Sequence, residues 1–70
     1  MKYLIVIEKS KIGYSAFSPD LPGCVSTGTT PEETERNMGE AIEFHIEGLK
    51  ETGDEVPSPS TYSAYVEVAA

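Results

Sequence analysis

YSAFSPDLPGCVSTGTTPEETERN, residues 14–37, holds an apolar strand, a rigid turn, a second short strand and the start of a helix. The turn is Ser18-Pro19-Asp20-Leu21-Pro22-Gly23. Pro19 and Pro22 each lock φ near about −65° and remove a backbone donor. Gly23 supplies the positive φ that a type II turn requires after Pro22. Asp20 is placed to accept local backbone N–H groups. Six residues past Cys24, Thr30-Pro31-Glu32-Glu33 opens a helix. Thr30 suits the N-cap, Pro31 the first helical position, and Glu33 the reciprocal acceptor of a capping box.

Upstream, residues 1–8 are β-branched and aromatic after the initiator and predict strand one. Both parities are apolar: Tyr3, Ile5 and Ile7 on one side, Leu4 and Val6 on the other. A strand of that kind needs cover on both faces. Lys9-Ser10-Lys11 with Gly13 predicts a hairpin turn, residues 13–18 strand two, and residues 24–27 strand three. Downstream, the pattern predicts one helix from Pro31 to about Thr52. Thr34, Met38, Ala41, Ile42, His45, Ile46 and Leu49 fall on one face, and Glu32, Glu35, Glu40, Glu43, Glu47 and Lys50 on the opposite one. Gly53 fits the left-handed position that ends a helix. Gly39 and Gly48 weaken the helix unless a close approach uses them. A proline-rich connector follows, and residues 61–68, TYSAYVEV, alternate as strand four. The expected fold is α+β with element order β-β-β-α-β, one helix on an antiparallel-rich sheet. One helix covers one sheet face, so the other face calls for a second copy or a partner.

Length predicts a single domain over residues 1–70 with a marginal core. One cysteine excludes an intrachain disulfide, and without a secretory signal it fits a reducing cytoplasm. The apolar N-terminal run is too short for a membrane span. Twelve acidic against five basic residues give a formal charge of −7. That charge opposes direct nucleic-acid binding and favours a basic protein partner.

The turn and helix start, in this order, resemble the HicB-like antitoxin family. The residues that carry the resemblance are Tyr14, Phe17, Pro19-Asp20-Leu21-Pro22-Gly23-Cys24, Thr27-Gly28 and Pro31-Glu32-Glu33. It continues through Asn37, Glu40-Ala41-Ile42 and Val56-Pro57-Ser58-Pro59, covering nearly the whole chain. The resemblance implies a partial, degenerate RNase H-like fold. It implies an antitoxin of a type II toxin–antitoxin system, not an enzyme, which binds and occludes a small basic HicA-type toxin that cleaves messenger RNA. The acidic helix residues Glu32, Glu35, Glu40, Glu43 and Glu47 are the expected partner-binding face. Tyr3, Ile5, Ile7 and Tyr65 are the expected face of a homo-oligomer, a dimer or tetramer. Family members commonly carry a C-terminal DNA-binding domain, and none is expected within these residues. The alternatives are an orphan interaction module and a metal-dependent nuclease of the RNase H kind.

The nuclease alternative would draw metal ligands from Glu8, Asp20, Glu40 and Glu67, which show no recognisable ligand spacing. Cys24 and His45 lack a third orienting residue, and both read better as packed side chains. One His and one Cys make no closed zinc site. No phosphate-loop pattern occurs. The aromatics Tyr3, Tyr14, Phe17, Tyr62 and Tyr65 lack the basic neighbours that a base-stacking platform needs. No cofactor is expected.

Overall fold

The computed structural model describes residues 1–70. Three strands form an antiparallel sheet in the order β1-β2-β3: β1 is Val6–Ser10, β2 is Gly13–Phe17 and β3 is Val25–Gly28. Helix α1, Pro31–Glu51, packs across β3 and β2 and barely reaches β1. The meander follows from its connections, since a two-residue turn joins β1 to β2 and the proline turn joins β2 to β3.

Register sorts the faces. Ile7 pairs with Ala16, and Ala16 with Ser26, so this row points at the helix. Val6 pairs with Phe17, and Phe17 with Val25, so this row points away from it. The core comprises Ala16, Leu21, Cys24 and Met38, with Tyr3, Ile5, Ile7, Ala41 and Ile42 packed around it. Tyr3, Ile5 and Ile7, expected on an oligomer face, therefore lie against the chain's own core. The open face carries Leu4, Val6, Phe17 and Val25 instead.

The proline turn builds part of that core. Leu21 N–H donates to Ser18 O at 3.1 Å, closing a first turn around Pro19 and Asp20. Cys24 N–H donates to Leu21 O at 3.1 Å, closing the predicted type II turn with Gly23 at φ 83°. The two turns drop Leu21 into the core, fully buried.

Helix α1 begins and ends as its residues require. Thr30, extended, accepts Glu33 N–H at 3.0 Å on its hydroxyl. Glu33 answers one residue further back than a capping box predicts, accepting Thr29 N–H at 2.9 Å. At the other end Asp54 N–H reaches Leu49 O at 2.8 Å and Gly53 N–H reaches Lys50 O at 3.2 Å, a Schellman motif with Gly53 at φ 77°. Gly28 allows β3 to touch the first helical turn, since a Cβ there would stand 2.5 Å from Thr34 Oγ1. Gly39 and Gly48 have nothing within 4 Å of such an atom, so no close approach within the chain uses them.

Two sequence expectations are corrected. Residues 1–5 make no ladder, because β2 ends opposite Val6 and its chain turns away. They are held instead by the Ser18 hydroxyl, which donates to Leu4 O at 2.9 Å. Residues 61–68 also form no strand within the chain. They leave the body as an arm with Tyr62 87%, Tyr65 102%, Val66 82% and Val68 74% exposed. Period-two alternation states how a strand would face, but a ladder also needs an edge within reach. The arm stretches the molecule to 49 × 27 × 16 Å, with a radius of gyration of 13.8 Å. A compact chain of this length would have about 11 Å.

Candidate functional site

Helix α1 turns its charged side outward by the same periodicity that buries Met38 and Thr34. Glu32, Glu35, Glu40, Glu43 and Glu47 are all exposed, with Arg36 and Lys50 among them. Glu32 also lies in the first turn, where carboxylates favour the positive end of the helix dipole. At 100° per residue, Phe44 stands beside Glu40 and Glu47 rather than on the apolar stripe, and it is 79% exposed. An exposed aromatic flanked by two carboxylates has the anatomy of a protein-docking anchor with charge at its rim. Sequence reasoning missed Phe44. The available signal was a large aromatic that falls outside the helix's apolar periodicity.

The turn residues Pro19, Asp20, Pro22 and Gly23 are brought together, but Asp20 does more than shape the turn. Its Oδ2 accepts Ser60 N–H at 2.9 Å and Thr61 N–H at 3.1 Å. Its Oδ1 accepts the Ser60 hydroxyl at 3.0 Å and the Thr61 hydroxyl at 2.7 Å. Four donors to one carboxylate favour its charged form. The Ser60 backbone N–H and then the Thr61 hydroxyl hold Asp20 down at about 2, below its ordinary 3.8. A second tether lies nearby, where the Tyr3 hydroxyl donates to Pro57 O. Together they fix the root of the arm against the β2–β3 turn and the N-terminal segment.

The remaining candidates stay apart. Glu8 lies on β1, Asp20 in the turn, Glu40 on the outer side of α1 and Glu67 in the arm. No group of three or more His, Cys, Asp or Glu side chains lies close enough to hold a metal ion. Cys24 is buried in the core, and burial pushes its thiol up from the ordinary value. His45 is half-buried on the core-facing stripe of α1. A groove at the β1–β2 turn is lined by Lys11, Ile12, Tyr14 and Glu33 among others. No helix is long and apolar enough to cross a membrane.

Residues 3–69 match the family model described as "HicB_like antitoxin of bacterial toxin-antitoxin system". An uncharacterized 14.9 kDa protein of Haemophilus phage HP1 is 46% identical over 66 residues, 94% of this chain and 50% of that protein. "Antitoxin HicB 2" of Photorhabdus laumondii is 32% identical over 71 residues, covering 100% of this chain and 51% of its own. The chain thus spans about half the length of both relatives. Among solved structures, a chain of a HicA3 and HicB3 toxin–antitoxin complex superposes with a TM-score of 0.75 at 37% identity, covering 86% of this chain and 70% of that one. The N-terminal domain of the Burkholderia pseudomallei antitoxin HicB matches equally, with a TM-score of 0.75 at 37% identity over 87% of this chain and 73% of that one.

Proposed function

Because the chain belongs to the family of HicB-like antitoxins of bacterial toxin–antitoxin systems, we propose that it neutralises a small, basic, HicA-type ribonuclease by binding it and covering its active site. The observation that carries this reading is the exposed acidic side of α1, where Glu32, Glu35, Glu40, Glu43 and Glu47 all face solvent and the bared Phe44 stands beside Glu40 and Glu47. A ribonuclease must present positive charge to the RNA backbone it cleaves. A carboxylate-rich face competes for that same surface, and complementary fields speed the encounter. Phe44 supplies the desolvated contact that charge alone does not. The antitoxin inhibits as a steric and electrostatic plug, without bond chemistry of its own.

The test is inhibition of RNA cleavage by the toxin encoded beside this chain, with the wild type and with Glu40→Lys/Glu43→Lys and Phe44→Ala. Charge reversal is expected to weaken inhibition roughly 10–100-fold and to flatten its salt dependence. Phe44→Ala is expected to weaken it at least about 10-fold at every salt concentration. Full inhibition by both variants would remove the helix face from the mechanism.

A further inference from the structure

We propose, resting on the reading of the outer side of α1 as the toxin-binding surface, that Phe44, Glu47, Gly48 and Glu51 form a socket for one arginine side chain of the basic partner. On a helix, residues at i, i+3, i+4 and i+7 ring one hole, the space that a side chain of a neighbouring element enters. Phe44, Glu47, Gly48 and Glu51 stand at those places along α1. All are exposed, Phe44 at 79%. Lys50 lies about 120° around the helix from Phe44, outside the hole.

Gly48 is what opens the hole. Glycine is the poorest helix former after proline. Nothing within the chain accounts for it here, because a Cβ at this position would meet no atom within 4 Å. Helical side chains lean toward the N-terminus and cover the turn before their own Cα. The Phe44 ring therefore leans toward Glu40, and the patch that a side chain at position 48 would cover lies just behind the ring. Glycine leaves that patch as bare backbone. By the same lean, the Glu51 carboxylate reaches back over the Gly48 turn, while Glu47 flanks Phe44. The hole thus has an aromatic wall, a flat floor and two carboxylates at its rim.

Those parts select arginine. Its guanidinium is planar, so it stacks on an aromatic face and offers a fork of donors to carboxylates. Its apolar stem lies along the bare floor while the charged head reaches the rim. Lysine presents no plane to the ring. A purely apolar knob would desolvate Glu47 and Glu51 without a partner. An acidic one is repelled by a chain of formal charge −7. A second copy fits poorly, because Arg36 is the only arginine of this chain and stands among the same helix's carboxylates. The socket also offers an arginine what RNA offers it, a flat π face beside anionic oxygens. The arginine it takes is therefore one with which the partner holds RNA.

The test is titration calorimetry of the full chain with the toxin encoded beside it. Gly48→Ala fills the floor, and Phe44→Leu keeps an apolar side chain without a π face. Gly39→Ala makes the same change as Gly48→Ala about 140° around the helix from Phe44. Both alanine variants are expected to raise the melting temperature of the free chain by about 4–8 °C. Gly48→Ala should nevertheless weaken toxin binding at least about 10-fold, and Gly39→Ala should leave it unchanged. Each arginine of the toxin is then changed to lysine in turn. One such change should weaken binding to the wild type about 10-fold, but to Phe44→Leu less than about 3-fold, because the stacking partner is already gone. Wild-type affinity in Gly48→Ala overturns the socket while leaving toxin binding in place. Equal losses in Gly48→Ala and Gly39→Ala do the same, as does the lack of any toxin arginine coupled to Phe44. A wild-type chain that does not bind the toxin overturns the proposed function, and the socket with it.

Discussion

Gly28→Ala places one methyl group where β3 meets helix α1, and its cost can be worked from the geometry. The new Cβ would stand 2.5 Å from Thr34 Oγ1, 2.8 Å from Thr34 N and 3.0 Å from Thr34 Cα. Two of those three atoms are backbone and cannot swing aside. The hydroxyl is committed as well, donating to Thr30 O at 2.8 Å. Restoring ordinary contact near 3.5 Å means moving the first helical turn by about 0.5–1 Å. That movement disturbs the fully buried Thr34 and the Thr30 cap together. Overpacking of this kind costs about 2–3 kcal/mol. A domain of this length has roughly 3.5–10 kcal/mol in all, so the loss is a large share of it. The melting temperature should fall by roughly 8–20 °C. Gly39→Ala is the control, the same chemical change in open space. It should stabilise by about 1 kcal/mol. The assay is urea unfolding followed by helical circular dichroism at one fixed protein concentration, because any self-association enters the apparent stability. Two variants that shift stability in the same direction, or Gly28→Ala within about 0.5 kcal/mol of wild type, would refute the close-approach reasoning.

Asp20 should titrate near 2 when followed by carboxyl carbon NMR, because its folded-state value is lowered from 3.8. Its contribution to stability is then fully present above pH 3.8 and lost as pH falls through about 2. Asp20→Asn should abolish this titration and speed amide exchange at Ser60 and Thr61, and an ordinary titration near 3.8 in the wild type would sink the clamp. Cys24, buried with its thiol pushed up, should react with iodoacetamide far more slowly in the native protein than in urea. Equal rates would show that the thiol is not held in the core.

What could be read from the residues alone divides by range. The prolines, Gly23, Thr30 and Gly53 act on their own dihedrals or on atoms a few residues away, and the turn and both helix ends formed where they stand. Helix periodicity likewise identified Met38 and Thr34 as inward. Strand four was misplaced because pairing is a relation between two segments, and alternation in one of them does not name the other. The same limit hid the work of Asp20, whose partners lie 40 and 41 residues away. The two parities of strand one were equally apolar, so only register with Ala16 and Phe17 could say which faced the helix. Of the expected partner-binding residues, periodicity placed all five glutamates outward, while Phe44 emerged only from its exposure.

The Asp20 clamp also orders events in time. Each piece of the body meets a neighbour close in sequence: β1 with β2, β2 with β3, β3 with α1. Such local contacts form early and fast. The clamp joins residue 20 to residues 60 and 61, so it waits until the helix has been made and docked. The arm's root is therefore fixed to the body last.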